Sequence, residues 1–196
     1  MTVEARIANL AVMNCGKSSN IITLDEGTPE ANYCKNAIDQ ARHDVLRDFD
    51  WNFSSQIRAL STSDEDPPPN WLQRYQYPKD ALAVREIIRT PRNAPEPPWQ
   101  ILLDAQKRKS IVTDVEKAFF RISVDVMNYD IFDPLALTAL SSRLAWYISR
   151  PLGLKRKEKS DILQEYIYLI NEAKTVDANE STAEEGQPAE WHEARR

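Results

Sequence analysis

The apolar positions of this chain change period twice, from a helical spacing to an alternating one and back. Val3, Ile7, Leu10 and Ala11 share one face of a short helix over 3–14, with Gly16 as its stop. A loop carrying Ile21, Ile22 and Leu24 then dips toward the core. Thr28-Pro29-Glu30 marks a strong helix start: a hydroxyl that caps, a proline suited to the first helical position, and an acid at the positive end of the dipole. Cys34, Ile38, Ala41, Val45 and Phe49 follow at spacings of four and three, the buried stripe of a helix reaching about Asp50. Arg42, Asp44, Arg47 and Asp48 are expected on its wet side, and Trp51 and Phe53 in Trp51-Asn52-Phe53 close it as core anchors.

From 56 to 124 the period falls to two, which predicts a small antiparallel β region. Gln56 to Leu60 is its first strand. The stretch 71–89 predicts a hairpin, with Trp71, Tyr75 and Tyr77 on the first strand and a corner at Pro78-Lys79-Asp80. Pro78 cannot donate to a ladder, and the Asp80 carboxylate can bond nearby amides. On the second strand Leu82, Val84, Glu86 and Ile88 share one face, and Ala83, Arg85, Ile87 and Arg89 the other. Trp99–Leu103 and Ser110–Thr113 read as a second pair with Lys107-Arg108-Lys109 near its turn, and Phe119–Val124 as a further strand. Proline-rich loops at 61–70 and 91–98 separate them.

The helical period returns at Asp133-Pro134, a second cap-plus-proline start. Leu137, Leu140, Leu144 and Ile148 form its stripe, with Trp146 and Tyr147 beside it and Pro151 and Gly153 as its stop. After a charged lead-in, Ile162, Tyr166, Leu169, Ala173 and Val176 define a last helix that fades near Asp177. The expected fold is mainly α. A four-helix body (1–55 and 125–176) carries an inserted small antiparallel β region (56–124), and 177–196 form an extended tail.

Composition narrows the chemistry. Of 196 residues, 42% are hydrophobic and 28% charged, ordinary for a soluble globular chain, and the formal net charge of −5 argues against general nucleic-acid binding. Four glycines leave little room for a glycine-rich phosphate loop. Gly16-Lys17-Ser18 matches the end of one, but Ala11 stands where its first glycine belongs and the preceding residues read as helix. Cys15 and Cys34 are too few for a disulfide framework and are expected as free thiols in a reducing compartment. Cys34 and His43 lie nine residues apart on one helix, and a core thiol explains Cys34 better than a nucleophile. Glu86 is the best-placed carboxylate for acid–base work, and pairing with an arginine explains it better. The basic triplets at 107–109 and 155–157 lack interleaved aromatics. No apolar run approaches the roughly 18 residues of a membrane span. No cofactor, metal or catalytic residue is expected. Trp191, a large aromatic in a charged tail, suggests a segment that orders on a partner.

Four pieces in order resemble the head-to-tail adaptor (connector) proteins of short-tailed bacteriophages, the tail tubular protein A type. Arg47-Asp48-Phe49-Asp50-Trp51-Asn52-Phe53 is similar to the family's helix end, and Tyr75-Gln76-Tyr77-Pro78-Lys79-Asp80-Ala81-Leu82 to its Tyr-x-Tyr-Pro-x-Asp-x-Leu corner. Phe132-Asp133-Pro134-Leu135 leading to Ala139-Leu140-Ser141-Ser142-Arg143-Leu144-Ala145 is similar to its third helix, and Ala189-Glu190-Trp191-His192-Glu193-Ala194-Arg195 to its tail. Cys15-Gly16 to Asn20 departs from the Leu-Gly type of turn expected there. The resemblance implies a structural virion protein, not an enzyme, made in the bacterial host cytoplasm. It implies a ring, usually of twelve copies, between the portal protein and the tail tube or nozzle, through which DNA passes without specific binding. It further implies a tail that docks on the portal through Trp191, His192, Arg195 and Arg196, so that truncation after Val176 spares the fold and abolishes docking. Another phage structural or interaction protein, a DNA-binding module and a small hydrolase or transferase are the alternatives.

Overall fold

The computed structural model describes residues 2–180 except 19, 90, 92 and 93. Its four α-helices are α1 (Val3–Asn14), α2 (Pro29–Asp48), α3 (Pro134–Ile148) and α4 (Arg156–Glu180). Six strands lie between α2 and α3: β1 (Ser55–Ala59), β2 (Gln73–Gln76), β3 (Ala81–Ile87), β4 (Trp99–Leu103), β5 (Lys109–Thr113) and β6 (Phe119–Val124). They form two three-stranded antiparallel sheets, ordered β1-β6-β3 and β2-β5-β4. The fold is therefore mixed α and β, more sheet-rich than the mainly α reading.

The helix starts follow the sequence. The Thr28 hydroxyl accepts from the Ala31 N–H at 3.4 Å, and the Asp133 carboxylate accepts from Leu135 N at 2.8 Å and Ala136 N at 3.4 Å, with a proline first in each helix. Gly16 ends α1 at φ +68°, a left-handed conformation that suits glycine. Ala5, Ala8 and Ala11 of α1 are fully buried, as are Ala136, Ala139 and Ala145 of α3, and these small residues let the helices approach closely.

The expected 71–89 hairpin does not form. β2 and β3 belong to different sheets, and the Pro78-Lys79-Asp80 corner carries the chain from one to the other. The reason is edge occupancy. β5 pairs along one side of β2. The preceding loop takes the other, with Ser63 N–H donating to the Arg74 carbonyl at 2.8 Å and Gln76 N–H to the Ser61 carbonyl at 2.9 Å. β3 has no free side of β2 to join and pairs with β6 instead. Its strict alternation also fails. Register shifts between Ala81 and Ala83 and between Val84 and Glu86 put Val84 and Ile87 both into the core.

One core runs through helices and sheets. Trp51 is fully buried and donates from its indole N–H to the Val45 carbonyl at 2.7 Å. Phe49, Trp51, Phe53, Phe132 and Tyr129 form a chain of ring contacts with centroids 4.6–5.6 Å apart. Tyr75 is the equivalent anchor between the sheets. Its ring meets Phe120 edge-on at 5.3 Å, and its hydroxyl donates to the Val115 carbonyl at 2.9 Å and accepts from Ala118 N–H at 3.2 Å. We predict that Trp51→Ala lowers unfolding free energy by about 3–5 kcal/mol. Urea titration should show a reduced midpoint with little change in slope.

Candidate functional site

Two arginine-centred clusters join the elements, and each corrects or extends the sequence reading. Arg42, expected on the wet side of α2, is only 3% exposed. Its guanidinium grips the Asp125 carboxylate in bidentate fashion, with Nε to Oδ1 at 2.8 Å and Nη2 to Oδ2 at 3.0 Å. Nη1 reaches Asp39 at 2.7 Å and the Tyr129 hydroxyl at 3.1 Å. His43 Nε2 lies 3.0 Å from the same Asp125. Burial by itself disfavours the charged guanidinium, but the Asp125, Tyr129 and Asp39 hydrogen bonds outweigh it and raise the Arg42 pKa. Burial likewise works against the Asp125 carboxylate, and Arg42 and His43 reverse this, holding it below its ordinary range. Arg42 lies four residues after Ile38 and three before Val45, so it shares the apolar stripe. That spacing was the available signal.

A second arginine closes the joint from the sheet. Arg85 of β3 donates to the carbonyls of Leu46, Arg47 and Phe49, satisfying the orphan acceptors at the C-terminus of α2, and to the Ser123 hydroxyl at 2.8 Å. Sheet β1-β6-β3 is thereby fixed to the end of α2. Glu86 pairs with Arg121 of the neighbouring β6 at 2.8 Å, on an edge strand, in keeping with the arginine-pair reading.

Arg143 organises the second cluster, on the α2–α3–α4 surface. Its Nε and Nη2 meet Asp44 Oδ2 at 2.8 and 2.6 Å, and the Tyr147 hydroxyl donates to the same oxygen at 2.7 Å. The guanidinium carbon lies 4.7–5.2 Å from the ring centroids of Trp146, Tyr147 and Tyr166. The Lys159 ammonium lies 3.9 Å from the centroid of the Trp146 ring. Burial opposes the Asp44 charge, but Tyr147, Arg143 and Gln40 together lower its pKa.

The last helix does not fade at Asp177. Asp177 is 4% exposed and accepts from the Asn52 backbone N–H through both oxygens, at 3.2 and 3.1 Å, while Asn52 Nδ2 donates to the Asp177 carbonyl at 2.8 Å. Leu169 is half-buried, Val176 is exposed, and Ile170 takes the core position. Burial pushes the Asp177 carboxyl up, against the Asn52 N–H, with Glu180, Asp133 and Asp50 adding to the rise. This latch ties α4 to Trp51-Asn52-Phe53. Asp177 continues the buried stripe of Ile170 and Ala173, but its partner Asn52 lies 125 residues away and is not marked by that period.

The remaining landmarks are placed as follows. Tyr77 is half-buried with the Lys109 ammonium 5.2 Å over its ring, and Pro78 lies at the corner. Asp80 pairs with Arg58 at 2.7 Å. Phe132 is buried ahead of the Asp133 cap. Cys15 and Cys34 are buried free thiols, and burial pushes them up to about 11 and about 12, far from a reactive thiolate. Gly16-Lys17-Ser18 leaves a helix end, with Gly16 N–H on the Met13 carbonyl at 2.8 Å, and does not follow a strand. Cys34 Sγ and His43 engage different partners, the Ala8 carbonyl and Asp125. Trp191, His192, Arg195 and Arg196 lie outside the described residues. Among the described residues no group of three or more His, Cys, Asp or Glu side chains is placed to hold a metal, and no helix is long and apolar enough to cross a membrane.

No protein-family model matches the chain, and no curated protein matches it.

These clusters position elements of the fold relative to one another. Arg42→Met should destabilise the fold by about 1–3 kcal/mol, because the half-buried Asp125 and the buried Tyr129 hydroxyl would lose their guanidinium partner. Asp44 and Asp125 have lowered pKa values in the fold, so their contribution is present above the unfolded Asp value of about 4 and is lost as pH falls below it. Asp44→Asn should flatten that acid limb in thermal melts taken across pH.

Proposed function

We propose that this chain is a head-to-tail adaptor of a short-tailed bacteriophage. In this reading it is a four-helix body with an inserted β region that assembles as a ring, of about twelve copies by family resemblance, between portal and tail tube or nozzle, and extends the DNA channel. The four-piece sequence resemblance carries this reading. The structural positions of three of those pieces support it. Arg47 to Phe53 spans the turn from α2 into β1, Tyr75 to Leu82 spans the corner between the sheets, and Phe132 to Ala145 opens α3 and carries Arg143. Each is a joint where a change of sequence would move whole elements, so a shared motif there marks shared architecture and not a shared active site. The reading is of an assembly part without catalytic residues or cofactor. Its partners are further copies of itself, the portal protein and a tail component, and DNA passes without specific contacts.

In such a ring one face of each subunit meets a different face of the next. Residues 181–196, with Trp191 as anchor and His192, Arg195 and Arg196 as polar contacts, would order on the portal. The Asp177–Asn52 latch moves the informative truncation from Val176 to Glu180, since a cut after Val176 would remove a buried fold contact together with the tail.

Co-sedimentation with the portal ring of the same phage, followed by native mass measurement, tests the reading. The expected result is a defined complex with as many copies of this chain as of portal subunit. Truncation after Glu180 should leave the thermal melt unchanged and abolish the complex. An intact portal that takes up none of the folded full chain would overturn the adaptor reading.

A further inference from the structure

We infer that an inter-sheet cleft and one stripe of α4 are the two halves of a contact between successive copies of this chain, an inference that rests on the ring reading above. The cleft, of about 400 Å³, lies where the Tyr77-Pro78-Lys79 corner passes the turn between β4 and β5. Lys79, Arg108 and Lys109 line it, and Asp104 is its only carboxylate. Asp104 is already committed to the Arg108 backbone N–H at 2.7 Å and Arg108 Nε at 2.8 Å. Lys79 and Lys109 form no ion pair among the described residues, and Lys109 rests only on the Tyr77 ring. Two ammonium groups without ion-pair partners in one concavity, on a chain of net charge −5, favour an anionic partner.

The complementary surface lies on a different part of the same molecule. α4 packs its buried side on α3 and exposes Asp161, Glu165, Tyr168 and Glu172 at spacings of four, three and four, one stripe of a straight helix. Asp161, Glu165 and Glu172 form no ion pair among the described residues, although Asp161 and Glu165 also line a groove that holds Lys17 and Lys155. Tyr168 is 68% exposed between the acids. A row of carboxylates around an exposed aromatic fits a cationic cleft floored by Tyr77 and Pro78. Because cleft and stripe are different surfaces, the contact is heterologous and can propagate around a ring. A nucleic-acid backbone is the less favoured occupant. The acidic chain repels it at long range, and Lys109 covers the Tyr77 ring on which a base would stack.

Charge reversal on each face of the full chain tests this, with self-association read by sedimentation velocity and native mass. Lys79→Glu with Lys109→Glu, and separately Glu165→Lys with Glu172→Lys, should each weaken self-association about tenfold or more. All four positions are exposed, so each variant should keep the wild-type thermal melt. Mixing the two variants should restore association, because both junctions of an alternating ring, reversed cleft on reversed stripe and wild-type cleft on wild-type stripe, pair opposite charges. If the wild type assembles and both variants assemble equally well, the cleft–stripe contact is wrong and the ring reading stands. If the wild type stays monomeric at every concentration, alone and with portal, both fail. Unchanged assembly of the lysine variant together with loss of affinity for a duplex DNA probe would assign the cleft to nucleic acid and overturn the proposal.

Discussion

The architecture depends on one joint, where the last turns of α2 meet sheet β1-β6-β3 through two arginines that work in opposite directions. Arg42 reaches out of the helix to Asp125, just past the end of β6, and Arg85 reaches from β3 back to the carbonyls that the helix leaves unpaired. A guanidinium is suited to both tasks because it keeps its charge when buried and offers donors in a fixed plane. An ion pair such as Arg42–Asp125 adds little net energy beyond the cost of its own desolvation, but loss of one partner is severe. Its contribution is to fix a direction: it sets how the β region projects from the helical body. The Phe49–Trp51–Phe53–Phe132–Tyr129 ring chain fills the space beneath it with apolar area and supplies the cohesion.

From that joint the rest follows in order. β6 is the middle strand of its sheet, so the position of Asp125 sets the strand that both β1 and β3 join. The second sheet hangs on the first through Tyr75 and Phe120, and the Tyr75 hydroxyl bridges two backbone groups near the start of β6. On the far side, Asp44 links α2 to α3 through Arg143 and Tyr147, and Asp177 returns α4 to Asn52. Each helix after the first thus carries an acidic or basic group that fixes it to a distant segment, while the apolar stripes provide adhesion. A chain built in this way holds its separate faces at set angles, as the proposed ring would require.

Local rules made much of this visible in advance. The Thr28-Pro29 and Asp133-Pro134 starts, the Gly16 stop and the β4–β5 pair rest on contacts within a few residues, and pattern and cap chemistry report those. The hairpin at 71–89 failed because which strand pairs with β3 is decided by loop 61–63 covering β2, a competition between segments that local alternation does not record. Arg42 and Asp177 were misread for a related reason. Polar residues on or beside an apolar stripe were assigned to solvent, and their partners, Asp125 and Asn52, lie far away in the chain. The functional reading draws on sequence resemblance at joints. The geometry adds two surfaces: a cationic cleft, of which only the basic triplet at 107–109 was visible in the sequence, and an acidic helical stripe.

For the proposed adaptor, electron cryomicroscopy of the head–tail junction tests the central claim most directly. The account predicts a closed ring of this chain directly beneath the portal, with its helical body and β region recognisable in each subunit. A junction resolved to side-chain detail and built entirely from other proteins would contradict it.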